Sequence, residues 1–486
     1  MSLKNIPTNW CVTTIGDIND YKSLTFNPKS YQEDSFELYS VPSFASGSPE
    51  ILLGKDIASN KQYIQFKDIL LCKINPRINR VWCVKEKKEH PQIGSSEWIV
   101  IRQPLIHEGF LAYFLQTQDF RDLLCSDVSG VGGSLTRAQP KRVATYNVPI
   151  APLPEQKIIA EKLDTLLAQV DSTKARLEQI PQILKRFRQA VLRTAMSGNL
   201  TGEWRLSNHS IILAEEIEET KNRLIEKKLV KKDLTYASLD KRYPLPPSWL
   251  YIKLQSVSTK ITDGEHKTPK RETTGKFLLS ARNIQDGYIK LADVDYVGDA
   301  EFQKLRNRCD PDYGDILISC SGSIGRVCLV DENSKYVMVR SVALVKLIQD
   351  FVINKYMMFL LQSPLLQKEI EENSKSTAQS NLFLGPIKNL GIPLPPVSEQ
   401  AEIVRRVEQL LAYADAIEKQ VNNALARVNN LTQSILAKAF RGELTAQWRA
   451  ENPDLISGEN SAAALLEKIK AERAASGGKK ASRKKP

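Results

Sequence analysis

The sequence predicts a mixed α/β (α+β) protein in which two globular domains are separated by two long helices. Three observations lead to this prediction. A block of sequence occurs twice, each copy carries a heptad pattern, and each is preceded by a segment rich in short β-branched and aromatic runs. We expect the two helices to pair as an antiparallel coiled coil, which gives the chain a pseudo-two-fold internal repeat.

The overall composition is that of a packed protein with several domains. The chain has 486 residues, 42% of them hydrophobic and 26% charged, close to the averages of globular proteins. At about 150 residues per domain, this length predicts two or three domains. Lysine and arginine exceed the acidic residues by 68 − 56 = 12. This basic excess favours interaction with a polyanion.

Cysteine usage and the first residues indicate a compartment. Seven cysteines are widely spaced without a Cys-x-x-Cys pair, and there are only four histidines. This pattern excludes a zinc finger or ribbon and predicts free thiols in a reducing environment. The first residues, MSLKNIPTNW, lack a basic segment followed by an apolar core, and no apolar run approaches the ~18 residues needed to cross a bilayer. We therefore expect a cytoplasmic protein with no membrane partner.

The repeated block covers residues 148–205 and 392–449, which align without a gap at a constant offset of 244. Seventeen of the 58 aligned positions are identical. Unrelated sequences of ordinary composition would share roughly three or four. The matches include a Glu-Gln pair near the start and a Trp-Arg pair at the end. The block is therefore a duplication.

The segments before the two copies resemble each other more weakly. Asp68–Leu71 is similar to Asp315–Ile318, and Trp10 and Trp249 occupy similar places near each start. Helices are predicted near residues 110–124 and 354–372. We divide the chain into a first globular domain (1–150), a first helical spacer (151–206), a charged helical linker (207–243), a second globular domain (244–391), a second helical spacer (392–449), and a helical and basic tail with a disordered end (450–486).

A heptad seam runs through each copy, with apolar residues spaced alternately three and four apart. Its members are Leu163, Leu166, Val170, Leu177, Ile180, Leu184 and Val191, then Val407, Leu410, Ile417, Val421, Val428, Leu431 and Ile435. An isolated heptad favours a bundle core or a homodimer zipper, whereas two matching heptads in one chain can pair with each other. About 40 helical residues give a spacer of roughly 60 Å. Pro181 should kink the first helix or begin a new one.

No catalytic motif is present in the sequence. It contains no Gly-x-x-x-x-Gly-Lys-Ser/Thr phosphate loop. The glycine-rich stretches Gly130–Gly133 and Ser321–Gly325 lack the strand, helix and later acidic residue of a dinucleotide site, so turns or DNA-contact loops are favoured. The segment Asp310–Tyr313 superficially resembles a methyltransferase motif, but a turn fits better because no cofactor-binding motif precedes it. We expect no metal site and no enzyme activity.

Clusters of cations and amides are the candidate DNA contacts, because such side chains reach phosphates and base edges. In the first domain they are Lys73, Asn75, Arg77, Asn79, Arg80, Arg137 and Lys141. In the second domain they are Arg282, Asn283, Ser319, Ser321, Ser323, Arg326, Lys375 and Gln379. Ordinary solvated loops remain an alternative for these stretches. The lysines from Lys227 to Lys232 are interpreted as the solvated face of a short charged helix, and the tail from Gly477 as disordered.

The arrangement resembles the specificity subunit of type I restriction-modification enzymes over nearly the whole chain. The strongest marks are a proline followed by Glu-Gln that leads into each heptad helix, at Pro152–Gln156 and Pro395–Gln400, and Gly-x-Leu-Thr-x-x-Trp-Arg at 198–205 and 442–449. The stretches 155–195 and 399–480 are similar to the enterobacterial type IA group in particular.

This resemblance implies two target-recognition domains, each reading one half of a bipartite DNA site. It implies partners as well: double-stranded DNA, two methyltransferase subunits bound to the conserved helices, and restriction subunits bound through them. The specificity subunit of this family is noncatalytic and binds no cofactor itself. S-adenosylmethionine, ATP and Mg are expected on the partner subunits.

Two other classes of protein remain open from the sequence. A freestanding DNA-binding regulator would fit the charge, although no helix-turn-helix or similar reader is recognisable. A coiled-coil scaffold would explain the helices without DNA, but it leaves two large domains with polar loops unexplained.

Overall fold

The computed structural model describes residues 6–86, 89–126, 128–129, 136–241, 243–374 and 380–478. The chain forms two compact units. The first unit contains residues 1–178 and 422–486, and the second contains residues 179–421. Each unit therefore combines one globular domain with one part of each long helix, instead of following the linear order of domains along the chain.

The helices are given in chain order. They are α1 (Ile15–Ile18), α2 (Glu108–Leu115), α3 (Gln118–Ser126), α4 (Pro140–Val143), α5 (Leu153–Met196), α6 (Gly202–Ser207), α7 (Ala214–Glu226), α8 (Asp299–Arg306), α9 (Asn354–Gln362), α10 (Pro364–Ser374), α11 (Leu384–Asn389), α12 (Val397–Phe440), α13 (Ala446–Glu451) and α14 (Ala462–Gly478).

The strands of the first unit form small sheets. They are β1 (Cys11–Thr14), β2 (Thr25–Phe26), β3 (Ser35–Tyr39), β4 (Glu50–Leu53), β5 (Lys61–Tyr63), β6 (Ile69–Cys72), β7 (Val81–Cys83), β8 (Gln92–Ser95), β9 (Trp98–Ile101), β10 (Val128–Ser129), β11 (Arg137–Ala138) and β12 (Asn147–Ile150). The strand orders are β2-β5-β8-β3-β4, β7-β6-β9, β1-β12 and β10-β11, and only β3 with β8 is parallel among these described pairs.

The second unit repeats the central part of this plan. Its strands are β13 (Leu250–Lys253), β14 (Ser258–Asp263), β15 (Lys276–Leu279), β16 (Ile284–Gln285), β17 (Tyr288–Ile289), β18 (Asp295–Val297), β19 (Ile316–Ser319), β20 (Val327–Leu329), β21 (Tyr336–Met338), β22 (Val342–Leu347) and β23 (Gly391–Leu394). Their orders are β14-β22-β19-β20, β18-β15-β21, β13-β23 and β16-β17.

The central strands of the two units correspond. In the first unit β6 lies between β7 and β9, and in the second β19 lies between β20 and β22, antiparallel to both neighbours. Every residue of β6 and of β19 is buried. Such continuous apolar runs are typical of strands covered on both faces. The weak sequence similarity between Asp68–Leu71 and Asp315–Ile318 therefore marks the same strand in each unit.

An acidic residue immediately precedes each central strand and is paired with a cation that lies on, or just after, a neighbouring strand. Asp68 is 1% exposed and accepts two hydrogen bonds from Arg102, at 2.7 and 2.6 Å. In the second unit Lys346 Nζ donates to Asp315 at 2.5 Å. Burial raises the pKa of Asp315, while the hydrogen bond from Lys346 opposes this rise. Each ion pair offsets the cost of removing the carboxylate from water at the edge of the hydrophobic core.

The long helices α5 and α12 have 44 residues each, or about 66 Å. Helix α5 passes through Pro181 without interruption, so the expectation that a new helix could begin there is wrong. Pro181 is exposed, whereas Leu184 is buried and Leu177 half-buried. Packing on both sides of the proline therefore outweighs the loss of one backbone hydrogen bond.

Both units contain an antiparallel pairing of these helices. In the first unit Lys162, near the start of α5, donates to the carbonyl of Leu444, just after the end of α12, at 2.7 Å. In the second unit Arg406, near the start of α12, donates to the carbonyl of Leu200, just after the end of α5, at 2.8 Å. The two bonds occupy equivalent positions of the repeat, at the offset of 244.

The predicted seam residues differ in burial. Those that are buried are Leu163, Val170, Leu184, Val191, Val407, Val421 and Val428. Those that are half-buried are Leu166, Leu177, Ile180, Leu410, Ile417 and Ile435. Leu431 is 46% exposed, so its assignment to the seam is wrong. Toward its end α12 instead buries Leu436, Ala439 and Phe440 against the domain of the first unit. An α-helix drifts by about 20° per heptad, and this drift moves the apolar face away from Leu431.

The charged linker belongs to the second unit. Helix α7 buries Ile217 and Lys221, and Lys221 Nζ donates to the carbonyl of Gln255 at 2.7 Å. Burial lowers the pKa of Lys221 to about 8. The helix ends at Glu226, so the lysines from Lys227 to Lys232 follow it and are not part of its face as predicted; all four are exposed.

A buried glutamate at the start of each long helix joins three segments of its unit. Glu155 is 0% exposed. It accepts hydrogen bonds from Trp10 Nε1 at 2.9 Å and Thr445 Oγ1 at 2.7 Å, and it forms an ion pair with Arg449. We call this arrangement the glutamate junction. It connects the start of the globular domain, the start of α5 and the segment after α12.

The second unit contains an equivalent glutamate junction. Glu399, at the start of α12, accepts from Trp249 Nε1 at 2.9 Å, from Thr201 Oγ1 at 2.6 Å and from Arg205 Nη2 at 2.6 Å. In both units the tryptophan belongs to the same half of the sequence as the glutamate, while the threonine and arginine belong to the other half. The conserved Glu, Thr and Arg of the duplicated block are thus explained by one buried site.

The other conserved residues of the block support this junction. Gln156 accepts from the backbone N–H of His107 at 2.9 Å, and Gln400 accepts from that of Ile353 at 2.9 Å. Gly442 has φ +73°, and a Cβ there would lie 2.2 Å from Pro7. A side chain at this position would combine left-handed strain with a steric clash, so glycine is required.

Replacing Arg449 by alanine should destabilise the first unit by about 3 kcal/mol, because Glu155 would remain buried without its cation. Hydrogen exchange followed by mass spectrometry should show faster exchange of amides in the first unit, while those of the second unit serve as an internal reference. The matched control is Arg427→Ala, an exposed arginine that donates to a carbonyl of its own helix. Equal effects of the two substitutions would contradict the importance of the junction.

Candidate nucleic-acid interface

The hairpin loop between β6 and β7 carries most of the predicted contacts of the first unit. A short 3₁₀ turn at Pro76–Ile78 is flanked by Asn75 and Asn79, which have φ of +48° and +50°. Asparagine tolerates this left-handed conformation better than most residues. The turn presents Arg77 and Ile78 to solvent. The sequence around Arg77 therefore forms a defined loop with an exposed tip.

The predicted residues of this loop differ in accessibility. Arg77 is exposed, whereas Lys73, Asn75 and Arg80 are half-buried. Asn79 donates from Nδ2 to the carbonyl of Leu115 at 3.0 Å, so its amide fastens the loop to α2. A structural role explains Asn79 better than the predicted DNA contact, because this bond would have to break for its amide nitrogen to reach a base.

Arg137 lies on β11, which contacts this loop, and Lys141 lies shortly after it on α4. Arg137 is exposed and forms an ion pair with Glu97 at 3.2 Å. Its backbone forms an isolated β-bridge with Ile74, within the hairpin loop. Lys141 is exposed on α4. The structure therefore brings Arg137 together with the hairpin loop, although Arg137 lies 57 positions after Arg80 in the sequence.

The equivalent hairpin loop of the second unit connects β19 with β20. Ser319 is 0% exposed; its Oγ donates to the carbonyl of Ser323 at 2.5 Å and accepts from the backbone N–H of Arg326 at 2.9 Å. Ser319 therefore holds the loop closed, and its prediction as a DNA contact is wrong. Ser321 and Arg326 are half-buried, and Ser323 is exposed.

The glycines of this loop have turn geometry. Gly322 and Gly325 have φ of +67° and +84°, in the left-handed region. The stretch Ser321–Gly325 is thus a tight loop between two antiparallel strands and is not followed by a helix. The other glycine-rich stretch that was predicted to be a turn or a DNA-contact loop, Gly130–Gly133, lies outside the described residues.

The remaining candidates of the second unit have separate locations. Arg282 is largely exposed and pairs with Asp295 at 3.0 Å. Asn283 is 0% exposed; it accepts from the backbone N–H of Ser280 at 2.9 Å and donates to the carbonyl of Lys290 at 3.0 Å. The prediction of Asn283 as a DNA contact is therefore wrong. Lys375, Gln379 and the tail from residue 479 lie outside the described residues.

The sequence did not predict that a later segment of each unit forms a backbone bridge with the hairpin loop. In the first unit Ile74 bridges Arg137, and the backbone N–H of Ala138 donates to the carbonyl of Lys73 at 2.9 Å. In the second unit Ser321 bridges Asn381, and the N–H of Leu382 donates to the carbonyl of Cys320 at 2.9 Å. Only the offset of 244 between Arg137 and Asn381 gave a sequence signal, because the side chains at these positions differ.

The groups with catalytic potential are used in other ways. Asp310 and Asp312 form ion pairs with Lys260 at 2.6 Å and Arg306 at 2.9 Å, so the segment that superficially resembled a methyltransferase motif is an ion-paired turn. Burial raises the pKa of the Cys309 and Cys320 thiols to about 12, which keeps them protonated at neutral pH. Within the described ranges, no group of His, Cys, Asp and Glu is arranged to hold a metal ion.

The structure also bears on the predicted absence of a membrane segment. Among the helices of the described part of the chain, none is both long and apolar enough to cross a bilayer. The longest helices, α5 and α12, carry charged residues along most of their turns.

Each unit thus combines a globular domain that carries a polar hairpin loop with an antiparallel pairing of α5 and α12. The model of the family described as "Type I restriction modification DNA specificity domain" matches this chain twice, at residues 7–182 and 246–427. The chain belongs to this family. Each match covers one globular domain and the first part of the repeated block that follows it.

Named relatives extend the similarity over the whole chain. The type I restriction enzyme EcoKI specificity subunit of Escherichia coli K12 is 39% identical over 100% of both chains. The EcoBI specificity subunit of Escherichia coli is 51% identical over 70% of this chain and 67% of its own. The StySPI specificity subunit of Salmonella potsdam is 46% identical over 79% of this chain and 75% of its own. The resemblance to the enterobacterial group is thereby confirmed.

Solved structures agree on the fold. A chain from a study of complex assembly and conformational transition of the type I R-M system has a TM-score of 0.66 at 18% identity, covering 90% of this chain and 99% of its own. The HsdS subunit from Thermoanaerobacter tengcongensis has a TM-score of 0.55 at 19% identity, covering 90% of this chain and 98% of its own. The predicted arrangement of two mixed domains and two long helices is confirmed.

Substituting Arg77 should weaken DNA binding without unfolding the protein, whereas substituting Asn79 should destabilise the loop. Arg77→Ala removes an exposed cation, and we expect about a tenfold loss of affinity for DNA. Asn79→Ala removes the bond to Leu115 and places alanine in the left-handed region, so thermal stability should fall. Fluorescence anisotropy with labelled DNA and thermal unfolding separate the two effects. A loss of soluble protein in Arg77→Ala would show that the loop tip is structural.

Proposed function

We propose that this chain is the DNA sequence-recognition subunit of a type I restriction-modification complex. Each globular domain reads one half of a bipartite, asymmetric DNA site, and the paired helices set the spacing between the halves. The helices also dock methyltransferase subunits, through which restriction subunits join the complex. The chain itself is noncatalytic. The observation that carries this proposal is a duplicated scaffold that holds two unlike loops.

The two halves share a scaffold but differ in their hairpin loops, and both properties suit the recognition of an asymmetric DNA site. The duplicated block retains the glutamate, threonine and arginine of both glutamate junctions, so the scaffold is the same in each half. The hairpin loops carry different chemistry: Arg77 is exposed in the first, whereas Ser323 is exposed in the second. Different side chains at one place in a shared fold select different DNA sequences. An asymmetric site with two dissimilar halves follows from this arrangement.

The partner subunits follow from the same repeat. Two similar helical regions in one chain offer two similar docking surfaces, which suits two copies of one methyltransferase subunit. S-adenosylmethionine, ATP and Mg would be bound by the partner subunits, because they serve the methylation and restriction reactions. This assembly acts on cellular DNA, which places the chain in the cytoplasm.

A freestanding DNA-binding regulator and a coiled-coil scaffold are the alternatives. A gel shift with the chain alone and with its methyltransferase partner, on genomic fragments at stated salt, separates the three functions. Selective binding that requires the partner supports the specificity subunit. Selective binding by the chain alone at full affinity supports the regulator, and no selective binding supports the scaffold.

Binding to random DNA should weaken steeply as salt increases, because the net charge of +12 displaces counterions from phosphates. For about six phosphate contacts, affinity should fall by about a thousandfold between 50 and 200 mM salt. Anisotropy titrations over this range provide the measurement. Affinity that does not change with salt would exclude extensive phosphate contacts.

A chain truncated near Leu206 should form a homodimer, because a second copy can supply what its junction lacks. Glu155 would lose Thr445 and Arg449, and Thr201 and Arg205 of a second copy are the equivalent residues. The dimer should therefore modify an inverted repeat of the first half-site, with the methyltransferase still bound. Light scattering gives the mass, and sequencing of modified DNA gives the site.

The control is the same truncation with Arg205→Ala, which cannot form the ion pair across the dimer. We expect this variant to remain monomeric or to aggregate. A truncated chain that is monomeric with Arg205 intact, or a modified site that is not palindromic, would contradict the paired architecture.

A further inference from the structure

We infer that a cleft in the second unit reads the edges of DNA base pairs, with Arg340 as a specificity-determining side chain. The cleft has a volume of about 920 Å³. It lies beside the hairpin loop between β19 and β20, and its polar lining includes Asp263, His266, Ser321, Arg340, Ser341 and Asn381. The inference rests on the proposed function and assigns the reading of one half-site to this surface.

The position of the cleft in the fold supports this assignment. It is lined by both partners of the bridge between Ser321 and Asn381. The first unit has the same backbone bridge, but between Ile74 and Arg137. The duplication has thus retained the backbone connection while the side chains on both sides of it have changed. Variation confined to side chains on a retained backbone is what a change of recognised sequence requires.

The charges around the cleft single out Arg340. Asp263 is already paired, with Arg308 at 2.9 Å and His266 at 2.7 Å. Arg340 is exposed, and its guanidinium has no ion pair with any residue in the described ranges. Its backbone N–H donates to the carbonyl of Glu265 at 3.0 Å, which fixes the main chain from which the side chain extends. The planar guanidinium keeps its donors in a fixed fork, so less rotamer freedom is lost for each hydrogen bond that it forms.

The remaining lining suits the major groove of DNA. A guanidinium can donate two parallel hydrogen bonds to the O6 and N7 atoms of guanine, which phosphate contacts alone do not replace. Ser341 has its Oγ accepting from the backbone N–H of Ala281 at 3.0 Å, so it supports the wall of the cleft. Phe383 is 56% exposed at the same cleft and offers an apolar surface for a thymine methyl group.

Two substitutions at Arg340 distinguish base reading from phosphate attraction. Arg340→Ala removes both the charge and the paired donors, whereas Arg340→Lys keeps the charge and removes the planar fork. If Arg340 reads a base, both variants should lose discrimination at one base pair by about ten- to a hundredfold. The matched control is Arg271→Ala, since Arg271 belongs to the same unit, is largely exposed and pairs with Asp295 outside the cleft.

The experiment uses the full chain with its methyltransferase partner in cells. Sequencing of genomic DNA at single-base resolution identifies the methylated sites for the wild type and each variant. We expect both Arg340 variants to relax one position in one half-site and to leave the other half unchanged. Arg271→Ala should retain the wild-type sequence. The half-site altered at Arg340 should differ from the half-site altered by Arg77→Ala, because the two residues belong to different units.

Each other outcome has a defined meaning. An unchanged site in Arg340→Lys would overturn the inference, because charge alone would then be sufficient. Equal changes in both half-sites, or failure of both variants to assemble with the methyltransferase, would also overturn it by indicating a structural role. A wild-type chain that directs no bipartite methylation would instead contradict the proposed function. The two failures are therefore distinguishable.

Discussion

The rest of this structure depends on the hydrogen bonds and ion pairs made by two buried glutamates, Glu155 and Glu399. Each carboxylate is withdrawn from water, which is costly unless it is fully paired. A tryptophan, a threonine and an arginine provide the pairing in each unit, and they come from distant parts of the chain. The glutamate lies at the start of one long helix and the threonine and arginine lie just after the end of the other, so they meet only when the helices run antiparallel. The junction therefore fixes helix direction and domain attachment together.

The scaffold was predictable because its constraints recur in the sequence. The duplicated block, the heptads and the continuous apolar strands gave the number of domains, the long helices and their antiparallel pairing. The burial of Leu431 was predicted wrongly because a heptad rule assumes a helix that packs only on another helix. The end of α12 packs on a globular domain instead, with Phe440 against Phe110. The prediction that a new helix could begin at Pro181 was wrong because packing on both sides of the proline outweighs its low helix propensity.

The recognition surface was less predictable because polar residues have two competing uses. Ser319 and Asn283 match the chemistry of a DNA contact, yet both are buried and satisfy backbone groups. Arg77 has an exposed side chain at a loop tip, and sequence alone does not separate it from these residues. Arg340 was not predicted at all, since no pattern surrounds it. Only the fold brings it beside Ser321 and Asn381, where the retained bridge can be recognised.

The first and last parts of the chain share the core of the first unit, and this has a consequence for folding during protein synthesis. Helix α14 contributes Leu466 and Ile469 to the same core as Trp10, and Arg473 donates to the carbonyl of Gly16 at 2.8 Å. The first residues to leave the ribosome must therefore wait for nearly the last before their core is complete, whereas residues 179–421 can fold earlier. A chain that ends before α14 leaves Trp10 and its neighbours without the contacts of Leu466 and Ile469.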